Sequence, residues 1–219
     1  MATKNQRETG RPAPRLYLLT PPVDDAAAFA TALEQALAAA DIAAVLLRLA
    51  PGDEAERISG IELLASLCVR TGTALVLDGH ADLVGRCAAD GAHLTGIHAI
   101  EGGLERLKPR HIAGAGGLTT RHDAMLAAEG GADYVLFGEP DLNGQRPSLT
   151  AIEDRISWWA EVFEPPCVGY AAAFDEVTAL ARAGADFVAI ADFVWNDARG
   201  AAAAVADAAE RLKQTEIAK

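Results

Sequence analysis

The chain has 219 residues, 51% of them hydrophobic, enough to bury the core of one large domain rather than two small ones. Its formal net charge of -12 repels a phosphate backbone, and no basic stripe with interleaved aromatics runs along it, so nucleic acid is not an expected partner. No apolar run approaches the roughly 20 residues that span a bilayer, which sets membrane partners aside.

The first fifteen residues, MATKNQRETGRPAPR, lack the apolar centre of a signal peptide and read as a polar, disordered tail. A soluble, cytoplasmic protein is expected. Cys68, Cys87 and Cys167 are odd in number, far apart and set among apolar neighbours, which suits reduced, buried thiols better than disulfides or a zinc site.

From Leu16 an alternation begins. Short apolar runs suited to buried strands are LYLL (16–19), AAVLLRL (43–49), ALVLD (74–78), AHLT (92–95), HIAGA (111–115), YVLFG (134–138), CVGYA (167–171) and FVAIA (187–191). Between them lie segments of helical spacing: DDAAAFATALEQALAAA, DEAERISGIELLASLCVRTG, ADLVGRCAAD, GGLERLK, TTRHDAMLAAEGG, TAIEDRISWWAEVF, DEVTALARAG and GAAAAVADAAERLKQ. Thr119 and Thr150 are natural N-caps, and the glycines at 72, 91, 131 and 184 are suited to helix ends.

A weak internal repeat joins helix to strand in ADGAHLTG, EGGADYVLFG and RAGADFVAIAD. Eight such units over residues 16–219 predict a single-domain α/β fold, a (β/α)8 TIM barrel, with a doubly wound open sheet as the alternative.

In a barrel, function collects at the C-terminal ends of the strands. That rule selects Thr20, Arg48, Asp78, His80, Thr95, His98, Gly116, Gly117, Glu139, Asp141, Asn143, Gln145, Arg146, Tyr170, Asp192, Trp195 and Asn196. Asp78 reads equally well as a helix cap in DGHADL, and His93, inside a strand, reads as a satisfied core histidine. His111 and His122 fall on the far side of the barrel or its outside. GAGG exposes backbone N–H groups as a phosphate cradle would, without the full spacing of a nucleotide motif. FGEPDLNGQRPS is long and polar enough to be a binding loop or lid.

The stretches LVLDGHADLVGRCAADGAHLTG, GADYVLFG and GADFVAIAD resemble the thiamine-phosphate synthase family, which also contains the thiazole tautomerases. The resemblance runs from Leu16 to about Val194. It implies a TIM barrel that joins a pyrimidine diphosphate to a thiazole phosphate with magnesium. Pyrophosphate leaves, and the thiazole nitrogen attacks the resulting pyrimidine cation. Carried over position by position, Arg48 and Arg146 take catalytic roles beside His98. With the strand-end candidates included, Asp78, Thr95, Gly116, Gly117, Asn143, Gln145, Tyr170 and Asp192 are the residues expected to bind substrate.

Several positions depart from the family pattern. On the second strand, Gln-Leu-Arg-x-Lys becomes LLRLA, with Leu46 and Ala50 flanking the retained Arg48. Of two magnesium-binding aspartates, one is replaced by Gly79 and the other, in His-Leu-Gly-Gln-x-Asp, by His98 in HLTGIH. Magnesium prefers oxygen ligands, so the family's metal site is not expected here and the metal ligands are left unknown. Ala171 and Ala172 stand for the glycines of a phosphate-binding Gly-Gly-Ile, Asp192 for a serine, NGQR for Thr-x-Thr-Lys, and Leu118 for the tautomerase histidine. The expected function is thiamine-phosphate synthase-like with a strongly altered active site. The alternative is a barrel that binds a small ligand or partner without that turnover. The expected partner is a small molecule of the thiamine-precursor kind, and self-association into a homo-oligomer is left open.

Overall fold

The computed structural model describes residues 12–141 and 143–216. Strand and helix alternate as β1 (Arg15–Leu19), α1 (Ala26–Ala39), β2 (Ile42–Leu47), α2 (Glu54–Thr71), β3 (Ala74–Asp78), α3 (Ala81–Val84), β4 (Gly91–Thr95) and α4 (Ile97–Leu107). The second half continues with β5 (Ile112–Gly116), α5 (Arg121–Glu129), β6 (Tyr134–Phe137), α6 (Leu149–Val162), β7 (Cys167–Ala171), α7 (Phe174–Ala183), β8 (Phe187–Ile190), α8 (Asp192–Trp195) and α9 (Ala201–Glu216). Each strand pairs in parallel with the next, and β8 returns to β1 with Ala189 opposite Tyr17. The ring is closed, so this is a single-domain (β/α)8 barrel and not an open sheet. No described helix is long and apolar enough to cross a membrane.

Strand alternation divides the core into two layers. Tyr17, Leu19, Leu46, Val76, Tyr134, Leu136, Val168, Tyr170 and Ala189 point into the barrel. Their neighbours, among them Leu18, Val45, Leu47, Leu77, Val135 and Val188, pack outward against the helices. Both faces of each strand are therefore dry, which is why the strands read as continuous apolar runs rather than alternating ones.

The helix-to-strand repeat has a definite job at the floor of the barrel. The carboxylates of Asp90, Asp133 and Asp186, each just before a strand or at its edge, accept the backbone N–H of Leu75, Ala113 and Cys167 at 2.7, 2.7 and 2.8 Å. Each clamps the strand about to start to the strand before it. Asp133 is also paired with Lys108.

Three local expectations are corrected. The N-caps are Thr120, in a capping box with Asp123, and Ser148; Thr119 and Thr150 lie one residue before the first cap and two after the second. Gly91 does not end a helix but opens β4. An added Cβ there would collide with the Ile112 carbonyl oxygen and lie 2.6 Å from the Ile112 Cβ. The fourth helix begins at Ile97 rather than Gly102, because Gly96, at φ 87°, turns the chain directly after β4 and Ile100, Leu104 and Leu107 form one buried face. The predicted tail falls mostly on residues outside the described ones, but Arg15 already belongs to β1, where it makes two hydrogen bonds to Asp41 at 2.9 and 2.7 Å.

Gly91→Ala is expected to lower unfolding stability by roughly 1–3 kcal/mol through overpacking against backbone. Gly85→Ala, where nothing lies within 4 Å, should change it by less than about 0.5 kcal/mol. Urea denaturation of both variants checks this.

Candidate active site

Beneath the C-terminal mouth, closure of the barrel brings together side chains from β1, β4 and β6. The hydroxyls of Tyr17 and Tyr134 lie 2.7 Å apart, and His93 Nδ1 lies 3.0 Å from the Tyr134 hydroxyl, with the two rings stacked at 5.7 Å. Gly114 makes room, since a Cβ there would run into the Tyr134 ring 2.6 Å from Cε1. His93 is thus the satisfied core histidine read from its place within a strand. Burial drives its pKa down to about 4 and keeps the imidazole neutral. Burial also raises both tyrosine hydroxyls above their ordinary value.

Around the rim, Arg48 follows β2, Asp78 and Thr95 end β3 and β4, Gly116 ends β5, Tyr170 lies near the end of β7, and Asp192 opens α8 after β8. Parallel strands put all of them at one end of the barrel. Arg48 is tied to Thr20: its backbone N–H donates to Thr20 Oγ1 at 3.0 Å and its Nε to the Thr20 carbonyl at 2.5 Å. Its remaining reach goes to Asp192, at 3.1 Å. Arg146 is more firmly held. It donates to both Glu176 oxygens at 3.0 and 2.8 Å and to the carbonyls of Gly138 and Tyr170 at 3.1 and 3.0 Å, and it lies over the Tyr170 ring.

Backbone donors are engaged in the same way. Glu176, in the first turn of α7, also accepts the Ala172 N–H at 2.8 Å. The Gly117 N–H, in the GAGG stretch, donates to Glu139 Oε1. Gly117 has φ 63°, a left-handed conformation that glycine adopts without strain. A Cβ on Gly116 would lie 2.7 Å from that same oxygen and against His93 Nε2. Each arginine and each cradle amide named here thus meets a carboxylate of the chain itself: Asp192, Glu176 or Glu139.

The other predicted residues are dispersed. His98 is 98% exposed on α4, with Nδ1 3.8 Å from Glu101, so it is not brought to Arg48 or Arg146. Asn143 and Gln145 are exposed, and their backbone N–H groups both donate to Asp141 Oδ1 at 2.8 Å in a turn that Asp141 organises. Thr95 is exposed at the rim. Asp78 is half-buried and faces the interior; its carboxyl is raised by burial, against the opposing fields of Arg48 and His80. Trp195 closes the edge of the mouth by donating from Nε1 to the Leu19 carbonyl at 2.6 Å. Ala171 packs outward in the helix layer. Among the described residues, no group of three or more His, Cys, Asp or Glu is gathered closely enough to hold a metal ion.

Glu176 was not singled out by reading the sequence. The usable signal was a glutamate three residues after Ala173, the residue that caps the start of α7, a position from which a carboxylate reaches back to free N–H groups.

His93 predicts a pH dependence. The unfolded histidine titrates near 6.5 and the folded one near 4, so unfolding takes up a proton between those values. The stability that neutral His93 contributes is complete above about pH 6.5 and is lost as the pH falls toward 4, on the order of 3 kcal/mol in all. Asp78 and Glu139, whose carboxyls are raised, act with the opposite sign. The measurement is therefore the difference in unfolding free energy between the native chain and His93→Asn, which should shrink across that window on acidification.

Residues 16–194 match the family model described as thiamine monophosphate synthase. The chain is 38% identical to the thiamine-phosphate synthase of Rhodospirillum centenum, over 88% of this chain and 95% of that protein. It is 35% identical to that of Hyphomonas neptunium, over 89% and 92%. Among solved structures, thiamine phosphate pyrophosphorylase from Pyrococcus furiosus superposes with a TM-score of 0.78 at 20% identity, covering 94% of this chain and 98% of that one. A 3-hexulose-6-phosphate synthase shares the fold at 13% identity, covering 90% and 99%, with a TM-score of 0.68. By the family model and by relatives matched along nearly their whole length, the chain belongs to the thiamine monophosphate synthase family.

Proposed function

We propose that the barrel mouth is a small-molecule site of the thiamine-precursor class and that the family's joining reaction runs there at a much reduced rate. The observation that carries this reading is the engagement of Arg48 by Asp192 and of Arg146 by Glu176. In the family's reaction, charge develops on a departing pyrophosphate, and preorganised cations and N–H donors supply the stabilisation. Here Arg48 and Arg146 would have to supply it, and both already face carboxylates.

The two pairs differ in strength. Arg48–Asp192 has one side chain 65% exposed, and exposed pairs contribute about 0.2–1 kcal/mol, so an incoming phosphate could displace Asp192 at little cost. Asp192 therefore acts mainly by neutralising Arg48, not as a bare repulsive charge. Arg146–Glu176 is mostly buried, at 18% and 16% exposed, and each partner has further hydrogen bonds. Hydrogen bonds to charged groups are worth about 1.5–3 kcal/mol, which makes Glu176 the harder one to move.

A second reading, a working synthase whose substrates displace both carboxylates, is favoured by the 38% identity to the Rhodospirillum centenum thiamine-phosphate synthase. A coupled assay of the two proteins side by side separates these readings. This chain is expected to make thiamine phosphate at least about a hundredfold more slowly, the order of effect of losing one preorganised donor. Glu176→Gln should strengthen phosphate binding more than Asp192→Ser does. Equal turnover by the unmodified chain would establish the second reading.

Magnesium does not fit the family position in this reading. Gly79 has no ligating side chain, His98 is solvent-exposed, and Asp78 remains as a carboxylate without the second that the family's pattern supplies. Octahedral magnesium needs oxygen ligands. Calorimetric titration is expected to show no tight magnesium binding; tight binding lost in Asp78→Ala would overturn this.

A further inference from the structure

The end of β5 and the loop after it are held by three other units of the barrel. The Gly96 N–H, just after β4, donates to the Gly116 carbonyl at 2.9 Å, and Arg155 of α6 donates to the carbonyls of Leu118 and Thr119 at 2.8 and 3.0 Å. Between those anchored carbonyls, the Gly117 N–H donates to Glu139 Oε1, from the loop after β6. Neither glycine has room for a side chain. A Cβ on Gly116 would lie 2.7 Å from that same oxygen, and one on Gly117 would lie 2.7 Å from Thr95 Cγ2 and 3.0 Å from the Gly96 nitrogen. Gly117 and Glu139 are half-buried and Thr95 is exposed, so the contact lies within reach of solvent at the rim.

We infer that Glu139 is a specificity-determining residue of the mouth: its carboxylate takes the place of a ligand's phosphate on the Gly117 amide, and a phosphate group binds there only when Glu139 swings away. This rests on the mouth being the small-molecule site proposed above and adds a third internal anion to Asp192 and Glu176. It differs from them in what it covers. They pair with the side chains of Arg48 and Arg146, whereas Glu139 covers a backbone donor whose place the Gly96 and Arg155 contacts fix. Carboxylate and phosphate oxygens accept an N–H in the same way, so the two compete for one donor. With no Cβ on Gly116, the Glu139 carboxylate lies directly against the strand end, beside His93 Nε2. A shorter side chain at position 139 would vacate that space for an anion and leave both anchors of the loop in place.

Titration of the full chain with inorganic pyrophosphate, followed by calorimetry and by the backbone NMR signal of the Gly117 amide, tests the inference. Glu139→Ala is expected to bind pyrophosphate at least about tenfold more tightly than the unmodified chain, the order of one hydrogen bond to a charged group, and its Gly117 signal should move during the titration. Glu139→Gln removes the charge but keeps an oxygen that can accept the same N–H, so it should gain clearly less. If Glu139→Ala does not fold, the similarly short Glu139→Ser decides. Pyrophosphate affinity that is unchanged or unmeasurable in the short variant, or a Gly117 signal that does not respond, overturns the inference. So does an equal gain in Glu139→Gln, which would assign the effect to lost charge and not to a freed amide. The proposed function fails separately, through equal turnover by the unmodified chain in the coupled assay.

Discussion

Closing eight strands forces Tyr17, Tyr134 and His93 into one dry interior, and their hydrogen-bonded chain is the constraint around which the barrel is built. A buried hydroxyl or imidazole without a partner costs about 1–3 kcal/mol, so these three have to meet. They meet only because other positions are small. Gly114 sits where the Tyr134 ring passes, Gly116 borders the far nitrogen of His93, and Ala189 lies opposite Tyr17 in the register that closes the ring. The bulky aromatics and the missing side chains are two parts of one packing solution.

The two ends of the barrel use aspartate and glutamate for different purposes. At the floor, Asp90, Asp133 and Asp186 each accept a backbone N–H of the preceding strand. They give up no ligand-facing surface, and their role is to hold strand to strand. At the mouth, Glu139 and Glu176 accept the Gly117 and Ala172 amides, and Glu176 and Asp192 pair with the guanidinium groups of Arg146 and Arg48. Carboxylates supplied by the chain satisfy these donors. Under the proposed function, such a carboxylate lowers what an incoming phosphate gains, since the phosphate must first displace it.

Much of this could be read from the residues. The fold was legible because strands buried on both faces are continuously apolar and a Gly-Ala-Asp or Gly-Ala-His joint precedes or opens three of them, and all eight strands lie within a residue or two of where the apolar runs put them. His93 was legible as a core residue from its position inside such a run. Helix ends were less so: Thr119 and Thr120 are chemically equivalent caps, and only the path of the chain selects the second. Gly91 resembled a helix stop because its actual reason, close approach of Ile112 from the neighbouring strand, is not local.

The candidate site divides along the same line. Local sequence determined that Arg48, Asp78, Gly116 and Asp192 stand at strand ends, and parallel strands in a closed ring send all such ends to one rim. Which of those groups face each other was decided by tertiary structure alone. Arg48 and Asp192 are separated by 144 positions and Arg146 and Glu176 by 30, and no periodicity encodes such partners. His98 shows the converse: one turn of α4 carries it out to solvent although it follows a strand closely. Hydrophobic period is a property of neighbours along the chain, whereas charge pairing is a property of neighbours in space, and only the closed barrel brings the second kind together.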